Sequence, residues 1–229
     1  MTDFDFGVIE RSLPYLFLEG MRFTLTLTVL AALGGVILGT GLALLRLVGG
    51  PVLSRMATFY VNGMRTLPLV LVIFWFYFLV PYLGQWITGA ERPVRVGAFA
   101  STLLTFTLFE AAYFSEIIRA GIGSIPRGQM AAGLALGLTY RQVMGSVILP
   151  QVFRIMLPVL LTQTIVLFQD TSLCYVISLT DFLGAASKVA QRDGRLVEMY
   201  VFAALVYFAI SLTASQGVKR LQSRIAIIR

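Results

Sequence analysis

The chain has 229 residues, of which 58% are hydrophobic and only 13% are charged. A water-soluble protein of this size cannot bury so much apolar surface, so the composition predicts an integral membrane protein. It contains no histidine and a single cysteine, Cys174, which excludes a disulfide framework, a Cys/His metal site and histidine acid–base chemistry within one chain. The formal net charge of +7 is compatible with nucleic-acid binding only if the basic residues share one surface.

Gaps between charged residues predict five membrane spans, because about 20 apolar residues cross the hydrocarbon core of a bilayer. The first two gaps contain 23 and 25 uncharged residues. Charged residues fall inside only two of the spans, with Glu110 and Glu116 in the third and Asp170 in the fourth. The prediction is an all-α integral membrane fold, a single transmembrane domain over 1–229. Its spans are 23–45, 66–84, 96–118, 155–179 and 199–217.

The distribution of Lys and Arg predicts the orientation of these spans. Segments 46–65, 119–154 and 219–229 hold eleven Lys or Arg residues and no acidic residue. The complementary segments, 1–22, 91–95 and 181–198, hold seven Lys or Arg beside eight Asp or Glu. Because cytoplasmic loops retain basic residues, we expect a periplasmic N-terminus and a cytoplasmic C-terminus. The basic excess therefore lies in loops that flank the membrane, and nucleic acid is not an expected partner.

Small residues in the first span predict a close helix contact. Gly35 and Gly39 form a G-x-x-x-G pair, which allows two helix backbones to approach. We favour packing within the chain over a dedicated dimer motif.

The segment 120–150, between spans three and four, predicts two short helices joined by a turn. Ser124 is suited to cap a first helix with Pro126 in its first turn, and Gly137 is suited to end it. Thr139 is suited to cap a second helix that runs toward Pro150. The first helix is rich in Ala and Gly, so it offers a smooth surface that fits a groove on another protein. The alternative, an interfacial helix on lipid headgroups, lacks the usual aromatic and lysine side chains.

The spacing of small residues in this segment resembles the cytoplasmic "EAA" loop of ABC importer permeases. That pattern is Glu-Ala-Ala, three residues, Gly, nine residues, a β-branched residue, one residue and Leu-Pro. The residues here that fill it are Ala131, Ala132, Gly133, Gly137, Val147, Leu149 and Pro150. The chain departs from the pattern at Ala131, where the family commonly has glutamate, and at Gly133, where it has alanine.

Further stretches resemble the polar amino acid importers of the same family, most closely their glutamate/aspartate permease subunits. They are YVNGMRTLPLV, which retains Arg65 and Pro68, then FEAAYFSEIIRAGI, LPQVFRIMLP and QDTSL. The resemblance implies three kinds of partner: a second permease subunit that is a different chain, two ATPase subunits and a periplasmic amino-acid-binding protein. It also implies a multi-pass protein of the bacterial inner membrane that imports glutamate or aspartate by alternating access.

The chain contains no G-x-x-x-x-G-K-[ST] phosphate loop, so MgATP is expected to bind the partner ATPase and no cofactor is expected here. We therefore expect a transport subunit and not an enzyme. The residues predicted to couple it to the ATPase are Arg127, Gly128, Gln129, Ala131, Ala132, Gly133, Gly137 and Pro150.

Charged residues at membrane depth are candidates for the substrate pathway, because each costs a few kcal/mol to insert and should face protein or water. Glu116 and Arg119 are three residues apart on one helix and are expected either to pair or to line the pathway. Glu110 precedes Glu116 by six residues, about 600° of helix, so the two carboxylates should not share a face.

A polar stripe is predicted along the fourth span. Gln163 and Asp170 are seven residues apart, as are Thr164 and Thr171. Such a stripe either joins two helices or lines a water-filled route, and its charge favours the route. The flanking polar residues are Gln169 and Ser172.

An acidic amino acid needs cations for its two carboxylates, whereas Asp170 suits its ammonium group. Arg65 and Arg119 are the candidates, since a guanidinium matches carboxylate geometry. Both are equally typical of anchors at the cytoplasmic ends of helices, and we favour that role. The substrate-pathway residues are thus Glu110, Glu116, Gln163, Gln169, Asp170, Thr171, Ser172, Arg65 and Arg119.

Two other classes of protein remain open at this stage. A secondary transporter or channel subunit would also span the membrane with buried carboxylates, but it would have no use for the small-residue helix. A membrane-embedded enzyme would need a nucleophile–base pair or a metal cluster, and Cys174 alone is typical of an apolar filler.

Overall fold

The computed structural model describes residues 4–94 and 96–225, and regular secondary structure in these ranges is entirely helical. The predicted all-α fold is therefore confirmed. The α-helices are α1 (Phe6–Tyr15), α2 (Arg22–Val48), α3 (Gly50–Thr66), α4 (Leu69–Thr88), α5 (Ala98–Gly123), α6 (Arg127–Ala135), α7 (Tyr140–Val143), α8 (Leu149–Asp170), α9 (Phe182–Asp193) and α10 (Leu196–Ile225).

Several of these helices join end to end. A π-helical turn, Leu16–Met21, connects α1 to α2, and another, Met144–Ile148, connects α7 to α8, which continues into a 3₁₀ segment, Thr171–Ile177. Within the described residues, four stretches are long and apolar enough to cross a membrane: Phe6–Val48, Leu69–Thr88, Tyr140–Ile177 and Leu196–Ile225. Helix α5 has 26 residues, but hydroxyl and charged side chains interrupt its apolar surface. Five spans and their orientation remain predictions.

The glycines of α2 allow it to pack directly on α5. A Cβ added at Gly39 would lie 2.9 Å from the carbonyl oxygen of Ala111 and 2.9 Å from Cβ of Phe114. A Cβ at Gly35 would lie 3.0 Å from the Phe114 ring. These distances leave no space for a larger residue, which confirms the prediction that the G-x-x-x-G pair packs within the chain.

The opposite face of α2 is apolar and uncovered. Leu25, Val29, Leu33 and Ile37 follow one another at four-residue spacing and are 46–71% exposed. A continuous apolar stripe of this kind on a long helix is typical of a surface that contacts lipid.

A proline separates α3 from α4. Residues before proline avoid the α-helical conformation, and Leu67 accordingly has φ −90° and ψ 139° before Pro68. Charge counting assigned the residues before Thr66 to a loop, whereas 50–66 form α3. The Tyr60 hydroxyl donates to the carbonyl of Leu108 at 2.8 Å and holds α3 against α5.

Helix α9 follows the 3₁₀ segment and packs beside α10. The carboxylate of Asp181 accepts from the backbone N–H groups of Leu183 and Gly184 and so caps α9. At the other end of α9, the hydrogen bonds and charges of Arg192 and Arg11 lower the pKa of Asp193. The small buried face of α9, which includes Ala185 and Ala186, packs against α10 and the turn before α2.

Candidate functional site

Helix α6 presents most of its surface to the outside. Arg127, Gly128, Gln129, Ala131 and Ala132 are all exposed. Just beyond the helix, Leu136 is 82% exposed and Tyr140 is 60% exposed. This surface is smooth along the helix and apolar at its end, which suits contact with a groove on another protein.

One side of α6 is fixed to the following helix through Gly133. This residue is buried, and a Cβ added to it would lie 2.6 Å from Cγ2 of Val143 in α7. Val143 belongs to a buried cluster with Ile148 and Val152, so α6 rests on the beginning of the stretch Tyr140–Ile177. A displacement of α6 must therefore displace the start of that stretch.

The turn between α6 and α7 confirms two sequence predictions. Gly137 has φ +81°, a left-handed conformation that strains residues with a side chain, and it follows the end of α6. Thr139 caps α7 in a reciprocal arrangement, accepting from the N–H of Gln142 while Gln142 Oε1 accepts from the N–H of Thr139 at 2.8 Å.

Two local predictions in this segment were wrong. Ser124 does not cap α6, because its hydroxyl donates to the carbonyl of Gly121 in α5, and Pro126 is the residue that precedes α6. The second helix does not stop near Pro150. It continues through the π-helical turn into α8, where Pro150 lies in the first turn.

A buried polar contact joins α5 to α8. Glu110 has no solvent exposure, and Gln163 Nε2 donates to its two carboxylate oxygens at 3.2 and 3.4 Å. Glu110 therefore faces protein, as expected for a carboxylate at this depth.

Glu116 lies in a separate cluster and faces away from Glu110. Its Oε2 accepts from Arg46 Nη1 of α2 at 2.7 Å and lies 3.9 Å from Arg65 Nη1 of α3. Its Oε1 accepts from Arg119 Nη2, one turn further along α5. The guanidinium carbon of Arg65 is also 5.6 Å from the centroid of the Tyr113 ring, a cation–π distance. The predicted pairing of Glu116 with Arg119 is confirmed, and it involves two further arginines.

The polar residues at the end of α8 point to different neighbours. Gln163 and Asp170 are half-buried, while Gln169 donates to Ser211 Oγ of α10 at 3.0 Å. Thr171 is completely buried, and its hydroxyl donates to the carbonyl of Phe168 where the 3₁₀ segment begins. Half-buried Ser172 follows it in the same segment.

Sequence reasoning did not select Arg46. It is the first charged residue after the first span, so it was counted with the basic loop, yet its side chain is only 8% exposed. The nearest acidic residues in sequence are Glu19 and Glu91, 27 and 45 positions away, so no local signal identified Glu116 as its partner. Among the described residues, no group of three or more Cys, Asp or Glu forms a metal site.

Comparison with known proteins gives one consistent family. Residues 35–227 match the family described as "Binding-protein-dependent transport system inner membrane component". The glutamate/aspartate import permease protein GltK of Escherichia coli O6:H1 (strain CFT073) is 52% identical over 226 residues, which is 99% of this chain and 100% of the relative.

More distant relatives also match over nearly the whole chain. The probable glutamine ABC transporter permease protein GlnM of Bacillus subtilis (strain 168) is 32% identical over 210 residues, 92% of this chain and 93% of the relative. A chain of the crystal structure of an amino acid ABC transporter with histidines superposes with a TM-score of 0.85 at 31% identity, covering 98% of this chain and 100% of that chain.

Proposed function

Because this chain belongs to the family of binding-protein-dependent transport system inner membrane components, we propose that it is the permease subunit of an ATP-driven importer of acidic amino acids. The single observation that carries the substrate class is 52% identity over the full length of a glutamate/aspartate import permease. A probable glutamine permease is only 32% identical to this chain. The expected location is the bacterial inner membrane, crossed five times.

The proposed importer contains this chain, a second and different permease subunit, two ATPase subunits and a periplasmic amino-acid-binding protein. The description of the family supports a binding-protein partner. ATP hydrolysis belongs to the ATPase subunits, which hold MgATP, and this chain binds none.

Helix α6 is the proposed contact with the ATPase. Exposed Ala131 and Ala132 allow close approach of a groove, and exposed Leu136 adds apolar contact at the end of the helix. Ala131 leaves this contact without the charge that a glutamate would bring, so shape and apolar contact hold it. The remaining coupling residues proposed are Arg127, Gly128, Gln129, Gly137 and Pro150, together with buried Gly133, which acts through its contact with Val143.

Movement of the ATPases is transmitted through the contact between Gly133 and Val143. Since α7 is continuous with α8, a push on α6 tilts the whole stretch that carries Gln163 and Asp170. The inward-open and outward-open arrangements must be close in energy for this push to select between them.

The proposed route for substrate follows the polar residues of α5 and α8. Asp170 is half-buried and suits the ammonium group, and half-buried Gln163, two turns earlier on α8, offers an amide that also donates to buried Glu110 of α5. Gln169, Thr171 and Ser172 lie at the end of this route, and the guanidinium groups of Arg65 and Arg119 are the proposed contacts for substrate carboxylates.

Uptake of labelled L-glutamate into proteoliposomes that contain the complete importer tests the function. We expect uptake that requires both enclosed ATP and the binding protein, and that excess L-aspartate inhibits more strongly than excess L-glutamine. Uptake that persists without ATP would show a secondary transporter. In the same assay, Ala132→Trp should uncouple ATP hydrolysis from uptake. If the rates of hydrolysis and uptake are both unchanged, docking of the ATPase at α6 is refuted.

A further inference from the structure

Three arginines from three different helices surround one carboxylate inside the helix bundle. Arg46 of α2, Arg65 of α3 and Arg119 of α5 all lie within salt-bridge distance of Glu116. A single carboxylate neutralises only one of the three positive charges, so two are in excess. A purely structural ion pair would need only one arginine, and like charges held this close together repel one another.

The cluster has a buried part and an accessible part. The side chain of Arg46 is only 8% exposed, and no described residue accepts a hydrogen bond from its buried Nε. The side chains of Arg65 and Arg119 are 39% and 41% exposed. The buried Nε of Arg46 therefore lacks an acceptor, whereas the guanidinium groups of Arg65 and Arg119 are accessible.

An opening leads to the carboxylate of this cluster, and none of the three arginines is among the residues that line it. A cleft of about 380 Å³ lies between α5 and α8, and Glu116 lies on its wall. The rest of the wall is mostly apolar and includes Ile117, Ile155 and Val159. Glu116 is the charged residue among those on this wall, so an anion that displaces its carboxylate gains the arginines that now pair with it.

We propose that Arg46, Arg65 and Arg119 form the subsite that binds the side-chain carboxylate of an acidic amino acid, and that Glu116 occupies this subsite as an internal ligand when no substrate is present. The proposal rests on the proposed function and specifies which residues distinguish glutamate from its neutral amide. Glu116 carries the same carboxylate as a glutamate side chain, so the empty subsite is preorganised for that group. Substrate replaces Glu116 at all three guanidinium groups, and the excess positive charge stabilises the second carboxylate.

This arrangement favours an anion over an amide for a physical reason. The carboxylate of glutamate accepts charge-assisted, bidentate hydrogen bonds from guanidinium groups, whereas the amide of glutamine presents one carbonyl oxygen and two N–H donors. The amide N–H groups of glutamine would face the N–H groups of the guanidinium side chains, and the positive charge of the arginines would not be neutralised. Arg46 is thus a specificity-determining residue. The ion pairs of Glu116 determine how tightly substrate must bind the guanidinium groups to displace it.

The test is equilibrium binding of labelled L-glutamate to the purified complex of both permease subunits and the ATPases in nanodiscs, with L-glutamine as competitor. We expect the wild-type complex to bind L-glutamate, and Arg46→Gln to weaken that binding about tenfold or more, the loss of one charge-assisted hydrogen bond. Glu116→Gln should strengthen it several-fold, because the internal competitor is gone. Arg55→Gln is the matched control, since it removes the same charge from an exposed position of α3.

A second readout separates this role from a structural one. Glu116→Gln leaves three arginines without a counter-ion, so its complex should unfold at a lower temperature than wild type. L-Glutamate should restore the lost stability, and L-glutamine should not. If the cluster is only a structural ion pair, Glu116→Gln should lose the same stability, and L-glutamate should restore no more of it than L-glutamine does. That outcome would overturn the proposal.

Other outcomes would also overturn it. One is that the affinity for L-glutamate changes less than twofold in both Arg46→Gln and Glu116→Gln. Another is that the wild-type complex does not bind L-glutamate. If Arg46→Gln does not assemble, Glu116→Gln decides alone. ATP-dependent uptake of L-glutamate by the wild-type importer would continue in these cases, so the proposed function would stand while the subsite failed.

Discussion

Substitution of Gly133 by valine tests whether force passes from α6 to α7. The new Cβ would lie 2.6 Å from Cγ2 and 2.9 Å from Cγ1 of Val143, well inside van der Waals contact. Overpacking of this kind costs about 1–3 kcal/mol. Because the exposed surface around Ala132 is unchanged, the ATPase should still bind and hydrolyse ATP. A change of this size in the coupling energy corresponds to about a 5- to 150-fold loss of coupling.

The assay compares amino acid uptake with ATP hydrolysis in the same proteoliposomes. Gly145→Val is the control, since a Cβ at Gly145 has no atom within 4 Å. Changing Val143 to alanine in the Gly133→Val chain removes the methyl groups that clash and should recover part of the coupling. Wild-type uptake per ATP in the Gly133→Val importer would refute the proposed transmission through this contact.

Three further substitutions test the packing and hydrogen bonds that support the site, each by the thermal unfolding midpoint of the purified complex. Gly39→Leu should lower it sharply, because the Cβ would lie 2.9 Å from the backbone of α5, whereas Gly41→Leu enters open space and should not. Thr139→Ala removes the cap of α7 and should cost about 1 kcal/mol, and Thr139→Ser should retain most of that stability. Gln163→Leu leaves buried Glu110 without its hydrogen-bond donor and should cost about 1–3 kcal/mol. An unchanged midpoint in any of the three would contradict the contact assigned to that residue.

Local signals in the sequence predicted the parts of the structure that depend on neighbouring residues. Thr139 caps its helix because the capping hydrogen bonds span only three residues. Glu116 and Arg119 meet because one helical turn separates them. Gly35 and Gly39 predicted a close contact, although the sequence did not identify α5 as the partner.

Contacts between distant residues were not predictable in the same way. Arg46 and Glu116 are 70 residues apart, and Glu110 and Gln163 are 53 apart. Nothing in a local pattern specifies which helices become neighbours, so charge counting assigned Arg46 to a loop. The continuity of α7 with α8 was also missed, because Pro150 is an apparent helix breaker that is tolerated in the first turn of α8.

Cross-linking from Ala132 tests most directly whether α6 docks on an ATPase. The native Cys174 is completely buried, so a cysteine introduced by Ala132→Cys would be the accessible thiol among the described residues. We expect this variant, in the intact importer, to cross-link to the ATPase subunit in a yield that changes when ATP is added. Leu196→Cys, exposed at the start of α10, should give no such product. If Ala132→Cys reacts only with lipid-soluble reagents and never with the ATPase, the coupling role of α6 is contradicted.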